Sequence, residues 1–119
     1  MTQKKEKILW RAHGAERWNG AHGAWNSMPP MIAPTVELAK AEGVTLVVET
    51  GNGTMVNSNY TACKLIDDLD AKGTLKVLWD PGNNCWFHER AYPEGYEEQR
   101  GGYLGHIHVK DVQVDTPRD

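Results

Sequence analysis

The chain has 119 residues, 39% of them hydrophobic and 24% charged, the composition of one globular domain with a single core rather than a disordered tail or a membrane protein. A formal charge of −3 and a pI near 5.9 leave no surplus of cations to neutralise phosphates, which excludes nucleic acid as a partner. The first residues lack the apolar centre of a signal peptide and no run of about 18 apolar residues occurs, so the expected setting is the cytoplasm, away from membranes, with Cys63 and Cys85 reduced.

In chain order, "KILWRA" (7–12) is a short apolar run bounded by charge and predicts a strand. The Gly, Asn, Ser and Pro of residues 13–30 predict a long polar loop, which makes His13 and His22 loop histidines. AHGA occurs at 12–15 and again at 21–24, two matches too short for a repeat architecture. "PTVELAKAEG" (34–43) predicts a helix, with Pro34 in its first turn, Val36 and Ala39 at helical spacing and Gly43 just past its end. "VTLVVET" (44–50) follows as a strand apolar on both faces, the mark of a covered parallel strand. Ala62, Leu65, Ile66 and Leu69 then share one helical face, in an element that Gly73 is expected to end. "LKVLWD" (75–80) is the next strand, Pro93 opens a short helix through Arg100, and "YLGHIHV" (103–109) supplies the last strand.

Strands alternating with helices predict an α/β fold with parallel neighbours joined by right-handed crossovers. Glu49, Asp80 and His108 close three successive strands at intervals of about thirty residues, one βα unit each. Side by side, such strands bring the two carboxylates and the imidazole together at the carboxyl ends, where α/β proteins place their sites. That donor set suits Mn²⁺, Mg²⁺, Co²⁺ or Zn²⁺. His106 shares a face with His108 one layer deeper, which predicts an interior histidine rather than a ligand. "ETGNGTMV" carries G-x-G between a strand and a helix, but Val56 replaces the third glycine of a dinucleotide fingerprint, so its glycines turn the chain and Asn52 is left as a candidate ligand contact. Trp10, Trp18, Trp25, Trp79 and Trp86 suit either stacking against a ligand or packing, with packing expected for Trp79 inside its strand.

"VVETGN", "LWDPGNN", "YPEGYE" and "GHIHVKDV", in this order and spacing, resemble successive strand ends of the xylose isomerase-like TIM-barrel family of sugar phosphate isomerases and epimerases, over residues 7–112. The resemblance implies that the whole chain, 1–119, is one partial domain of parallel βα repeats, the fourth to seventh strands of an eight-stranded (β/α)₈ barrel and about half of one. It implies Glu49, Asp80 and His108 as ligands of a divalent metal, with Glu49 also the catalytic base. The implied substrate is a small-molecule sugar or sugar phosphate, and the implied reaction removes a proton next to a carbonyl. Lys110 and Asp111, just past the ligand histidine, are candidates to contact substrate hydroxyls or phosphate, together with Asn83 and Asn52. Asn83 and Val114 stand where many epimerases of the family carry a histidine and an arginine.

The family's fourth ligand is a glutamate on the eighth strand. The seven residues after Val112 are expected to be too few to reach one, and the six before "KILWRA" too few for three more strands. A half-barrel leaves two sheet edges and an inner apolar face open, which predicts a homo-oligomer or a complementing chain. The alternative expectation is a half-barrel module without catalysis.

Overall fold

The computed structural model describes residues 7–10, 21–51, 53–87 and 89–113. His13, Trp18, Asn52 and Val114 lie outside them, as do the side chains of Trp10 and His22. Four strands, β1 (Lys7–Trp10), β2 (Thr45–Glu49), β3 (Leu75–Trp79) and β4 (Leu104–Ile107), form one parallel sheet in the order β1-β2-β3-β4. Each strand is the neighbour of the next, as consecutive βα units require. The sheet does not close: β1 and β4 are its edges among the described residues.

Between β1 and β2 runs α1 (Ala21–Glu42), much longer than the helix expected from residue 34, with Pro29, Pro30 and Pro34 inside it. Interior prolines each forfeit a backbone hydrogen bond, at about 3 kcal/mol or more. What sustains the helix is a stripe of Trp25, Met28, Ile32, Val36 and Ala39, spaced three or four residues apart and packed into the core. Burial of each large aliphatic side chain of this kind contributes about 1.5–3 kcal/mol. Helical spacing of apolar residues therefore overrides the Gly, Asn and Pro content that suggests a loop.

The next helix, α2 (Asn59–Asp68), starts in a capping box in which Ser58 Oγ accepts from the Thr61 N–H and Thr61 Oγ1 accepts from the Ser58 N–H. Its end is Leu69, followed by Asp70 at φ 48°, so Asp70 rather than Gly73 takes the left-handed position. Aspartate tolerates that conformation through its short polar side chain. Trp25 Nε1 donates to Asp68 Oδ2 at 2.7 Å and holds α1 against α2, while Lys64 Nζ, one turn earlier on α2, reaches the same oxygen at 2.5 Å. These two hydrogen bonds, Lys64 first, pull the Asp68 carboxyl below its ordinary pKa. The clasp is therefore complete at neutral pH and loosens as pH falls through that lowered value.

Leu46, Val48, Leu75, Val77 and Trp79 project from one face of the sheet into the core that α1 and α2 cover, with Ala62, Leu65 and Ile66 wholly buried. The other face carries Val47, Glu49, Lys76, Leu78 and His106, in register across β2, β3 and β4. This face is less open than a bare half-barrel implies, because Val47 and Leu78 are only 2% and 3% exposed. Between Val77 and Leu78 the pairing with β4 slips from Leu104 to His106, a bulge centred on Gly105. A Cβ at Gly105 would lie 2.3 Å from Lys76 Cβ, so only glycine admits the lysine stem there.

Two short elements follow β3 that the sequence reading passes over, α3 (Pro81–Asn84) and a 3₁₀ turn (Cys85–Phe87). Pro93 does not open a regular helix. A π-type turn (Ala91–Gly95) holds Tyr92 extended at φ −139°, ψ 139°, and α4 (Tyr96–Gln99) begins only after it. The residue before a proline is driven out of the helical region by the ring, which explains the delay. The buried Asn59 and Gln99 amides both donate to the Gly95 carbonyl, at 3.1 and 2.8 Å, and fasten α2 and α4 to this turn.

Both cysteines are free; Cys85 is exposed, while burial, then Glu98 and Asp67, push the Cys63 thiol up to about 11. Among the described residues no helix is long and apolar enough to cross a membrane. The core assignment predicts that Ile66→Ala costs about 3 kcal/mol. Leu38→Ala, on the exposed face of α1, should stay within about 0.5 kcal/mol of the parent. Urea unfolding of the two variants measures both; equal losses would place the core elsewhere.

Candidate metal centre

Glu49 is the last residue of β2, Asp80 directly follows β3, and His108 directly follows β4. Neighbouring parallel strands in register deliver the three side chains to one end of the sheet. His108 is pinned there because its backbone N–H donates to the Trp79 carbonyl at 2.8 Å, prolonging the β3–β4 ladder by one step. Asp80 is fixed differently. It is the N-cap of α3, with Oδ1 accepting the Gly82 N–H at 3.0 Å and Pro81 preset in the first helical position.

One ligand atom from each of Glu49, Asp80 and His108 can be chosen so that all lie within 4.8 Å of one another. His108 Nδ1 stands 3.5 Å from Glu49 Oε1. Glu49 and Asp80 are only 8% and 4% exposed, whereas the His108 side chain is 42% exposed, so the cluster is closed below and open at the histidine. Two carboxylates buried this closely repel one another and need positive charge or coordination nearby. An oxygen, oxygen, nitrogen set at this spacing is one that a divalent cation satisfies, so the donors present fit the implied metal. His106 stands beside the cluster without joining it, its ring 5.7 Å from that of His108 and edge-on to it. The expected interior position is not observed: His106 is exposed, because β4 is an edge strand among the described residues and none of their strands covers it.

A second layer of polar contacts surrounds Asp80. Lys110 Nζ lies 2.9 Å from Asp80 Oδ2 and 2.6 Å from Asn83 Oδ1, and Asn83 Nδ2 donates to the Thr50 carbonyl at 2.8 Å. One chain of contacts thus ties the ends of β2, β3 and β4 together. Asn83 and Lys110, both candidate substrate contacts, therefore lie at the site, whereas Asp111 is exposed and accepts from the Val112 N–H at 2.9 Å. Sequence reasoning misses Thr50, which contributes only a carbonyl, and Gly82. Gly82 has a signal in D-P-G, an N-cap followed by proline and a residue without a side chain. A Cβ there would meet Lys110 Cε at 2.5 Å and Val112 Cγ2 at 2.7 Å, because the lysine stem crosses this glycine. Of the tryptophans, Trp79 is core, Trp25 packs against the core and Trp86 is exposed.

Gly82→Ala should consequently displace Lys110 and destabilise the fold by about 1–3 kcal/mol. Gly73→Ala, where nothing lies within 4 Å of the added carbon, serves as control and should be neutral or stabilising. Urea midpoints distinguish the two; equal effects would mean that the lysine stem is not seated on Gly82.

The chain matches the family described as xylose isomerase-like TIM barrel over residues 8–119. Among solved structures it is similar to the 3-keto-D-glucoside 4-epimerase YcjR of E. coli in its apo form, with a TM-score of 0.73 and 17% identity. The similarity covers 87% of this chain and 43% of that one, so the chain spans less than half the length of this neighbour. No match is found among curated proteins. The parallel sheet, its helices and its unclosed edges correspond to part of a barrel. The chain belongs to the xylose isomerase-like TIM-barrel family.

Proposed function

We propose that residues 1–119 form a half-barrel domain of a cytoplasmic, metal-dependent sugar or sugar phosphate isomerase or epimerase, acting by proton abstraction next to a carbonyl. The observation that carries this reading is the convergence of Glu49, Asp80 and His108 at the ends of three adjacent strands, on a family fold. Support for the substrate class comes from the structural neighbour, named for a 3-keto sugar epimerised at C4, the carbon beside its ketone. A C–H in that position is acidic because the carbanion left behind spreads onto the carbonyl oxygen.

Held by these three residues, Mn²⁺, Mg²⁺, Co²⁺ or Zn²⁺ would supply a Lewis acid for that oxygen. Asp80 serves as a fixed anchor, its Oδ1 held by the Gly82 N–H. Glu49 is the base, a buried carboxylate at the inner strand end that takes the proton from one face of the sugar. His108, the most open of the three, faces the entry side. Asn52, Asn83, Lys110 and Asp111 are the proposed substrate contacts. A single base can move a proton between neighbouring carbons on one face, which is isomerisation. Inversion needs a second acid/base group on the opposite face. For epimerisation that group would come from a strand beyond β4 outside the described residues, or from a second copy or a complementing chain. The open edges at β1 and β4, and Ile107 and Val109 exposed at 43% and 93%, support such an association.

Calorimetric titration with Mn²⁺ tests the centre. One site per chain is expected, weakened by more than about tenfold in Asp80→Asn and in His108→Ala and unchanged in His106→Ala. Equal affinity in all four proteins would remove the site and leave a half-barrel module without catalysis.

A further inference from the structure

Lys110 stands closer to Asp80 than His108 stands to Glu49, and the structure gives it a seat. Its stem crosses Gly82, where a single added carbon would collide with Cε and Cγ, and its ammonium is shared between Asp80 Oδ2 and Asn83 Oδ1. Asn83 is in turn held by the Thr50 carbonyl. Three elements therefore place one ammonium on the face of Asp80 away from the Gly82 N–H, where it offsets the charge of two carboxylates that are both under a tenth exposed.

We infer that Lys110 is the resident counter-cation of the Glu49–Asp80–His108 cluster, so that an incoming divalent metal exchanges with, or works against, a positive charge already in place. The inference rests on the metal-centre reading for its second half only. Its direction follows from Coulomb's law. An ammonium and a divalent cation that share one carboxylate repel, so the lysine weakens the metal while supporting the metal-free fold. A lysine that merely oriented Asp80 for the metal would act in the opposite sense on affinity. Lys110 in this role is a positioning and charge-balancing residue, one that sets how readily the site loads and releases its cation.

Lys110→Met separates these effects, because methionine keeps an unbranched stem over Gly82 and removes only the charge; Lys110→Arg restores the charge. Two measurements on the full chain decide the matter. Without metal, Lys110→Met should lower the thermal midpoint by about 5 °C. The same change in an Asp80→Asn background should move it by less than about 1 °C, the signature of a direct pair. With Mn²⁺ followed calorimetrically, Lys110→Met should bind about tenfold more tightly than the parent, and Lys110→Arg no more tightly. Weaker Mn²⁺ binding in Lys110→Met, or a metal-free midpoint that does not depend on Asp80, would overturn the inference. If neither parent nor variant binds Mn²⁺, the metal-centre reading fails, and the thermal pair alone still decides whether Lys110 balances Asp80.

Discussion

Everything at the carboxyl end of this sheet answers to one electrostatic constraint: Glu49 and Asp80 bring two carboxylates into one poorly solvated corner. An isolated buried anion would lose several kcal/mol of hydration, so each must be compensated where it stands. The surroundings do this in three ways. A helix N-cap supplies the Gly82 N–H, the ladder beyond β4 supplies the His108 imidazole, and the segment after it supplies the Lys110 ammonium. A sheet that only needed to be stable would place apolar residues at these strand ends. Retaining acids there, with hydrogen-bond donors and one ammonium arranged around them, is an arrangement that suits a candidate cation site.

The fold meets this constraint through register. Glu49 and Leu78 are partners across β2 and β3, and the bulge at Gly105 resets β4 so that Leu78 faces His106 and Trp79 faces Ile107. Without the extra residue, every side chain beyond it on β4 would turn to the other face, and His108 would point into the helix layer. The glycine and the lysine stem beside it, Lys76, therefore matter as much to the cluster as its three side chains do. Gly82 does the same for Lys110 on the other side of Asp80. Two glycines, each required by a close approach rather than by a left-handed backbone, set the positions of one histidine and one lysine.

The strand ends and the residues that close them are legible in the sequence because they depend on local patterns: short apolar runs, a carboxylate or imidazole closing three of them, and spacings of one βα unit. Glu49, Asp80 and His108 stand together as that pattern implies. The length of α1 was not legible, because three prolines and a run of small polar residues hide a stripe of five core positions whose value appears only against the sheet. The turn at Asp70 was missed since glycine at 73 is the commoner stop, and the broken helix around Pro93 since it depends on the extended Tyr92 before it. The exposure of His106 follows from its place on an edge strand, which one-dimensional alternation does not report. The Thr50–Asn83–Lys110–Asp80 chain was invisible for a related reason: it joins residues 60 positions apart through a backbone carbonyl and a side-chain amide.

The central question is whether these three side chains hold one cation together. Anomalous diffraction from crystals soaked in Mn²⁺, recorded near the manganese edge, tests this directly. The account predicts a single strong peak about 2.0–2.3 Å from a carboxylate oxygen of Glu49, one of Asp80 and a ring nitrogen of His108, with the Lys110 ammonium further from Asp80 than in the metal-free chain. A peak that omits any of the three, or anomalous density only at the acidic surface of α4, would contradict it.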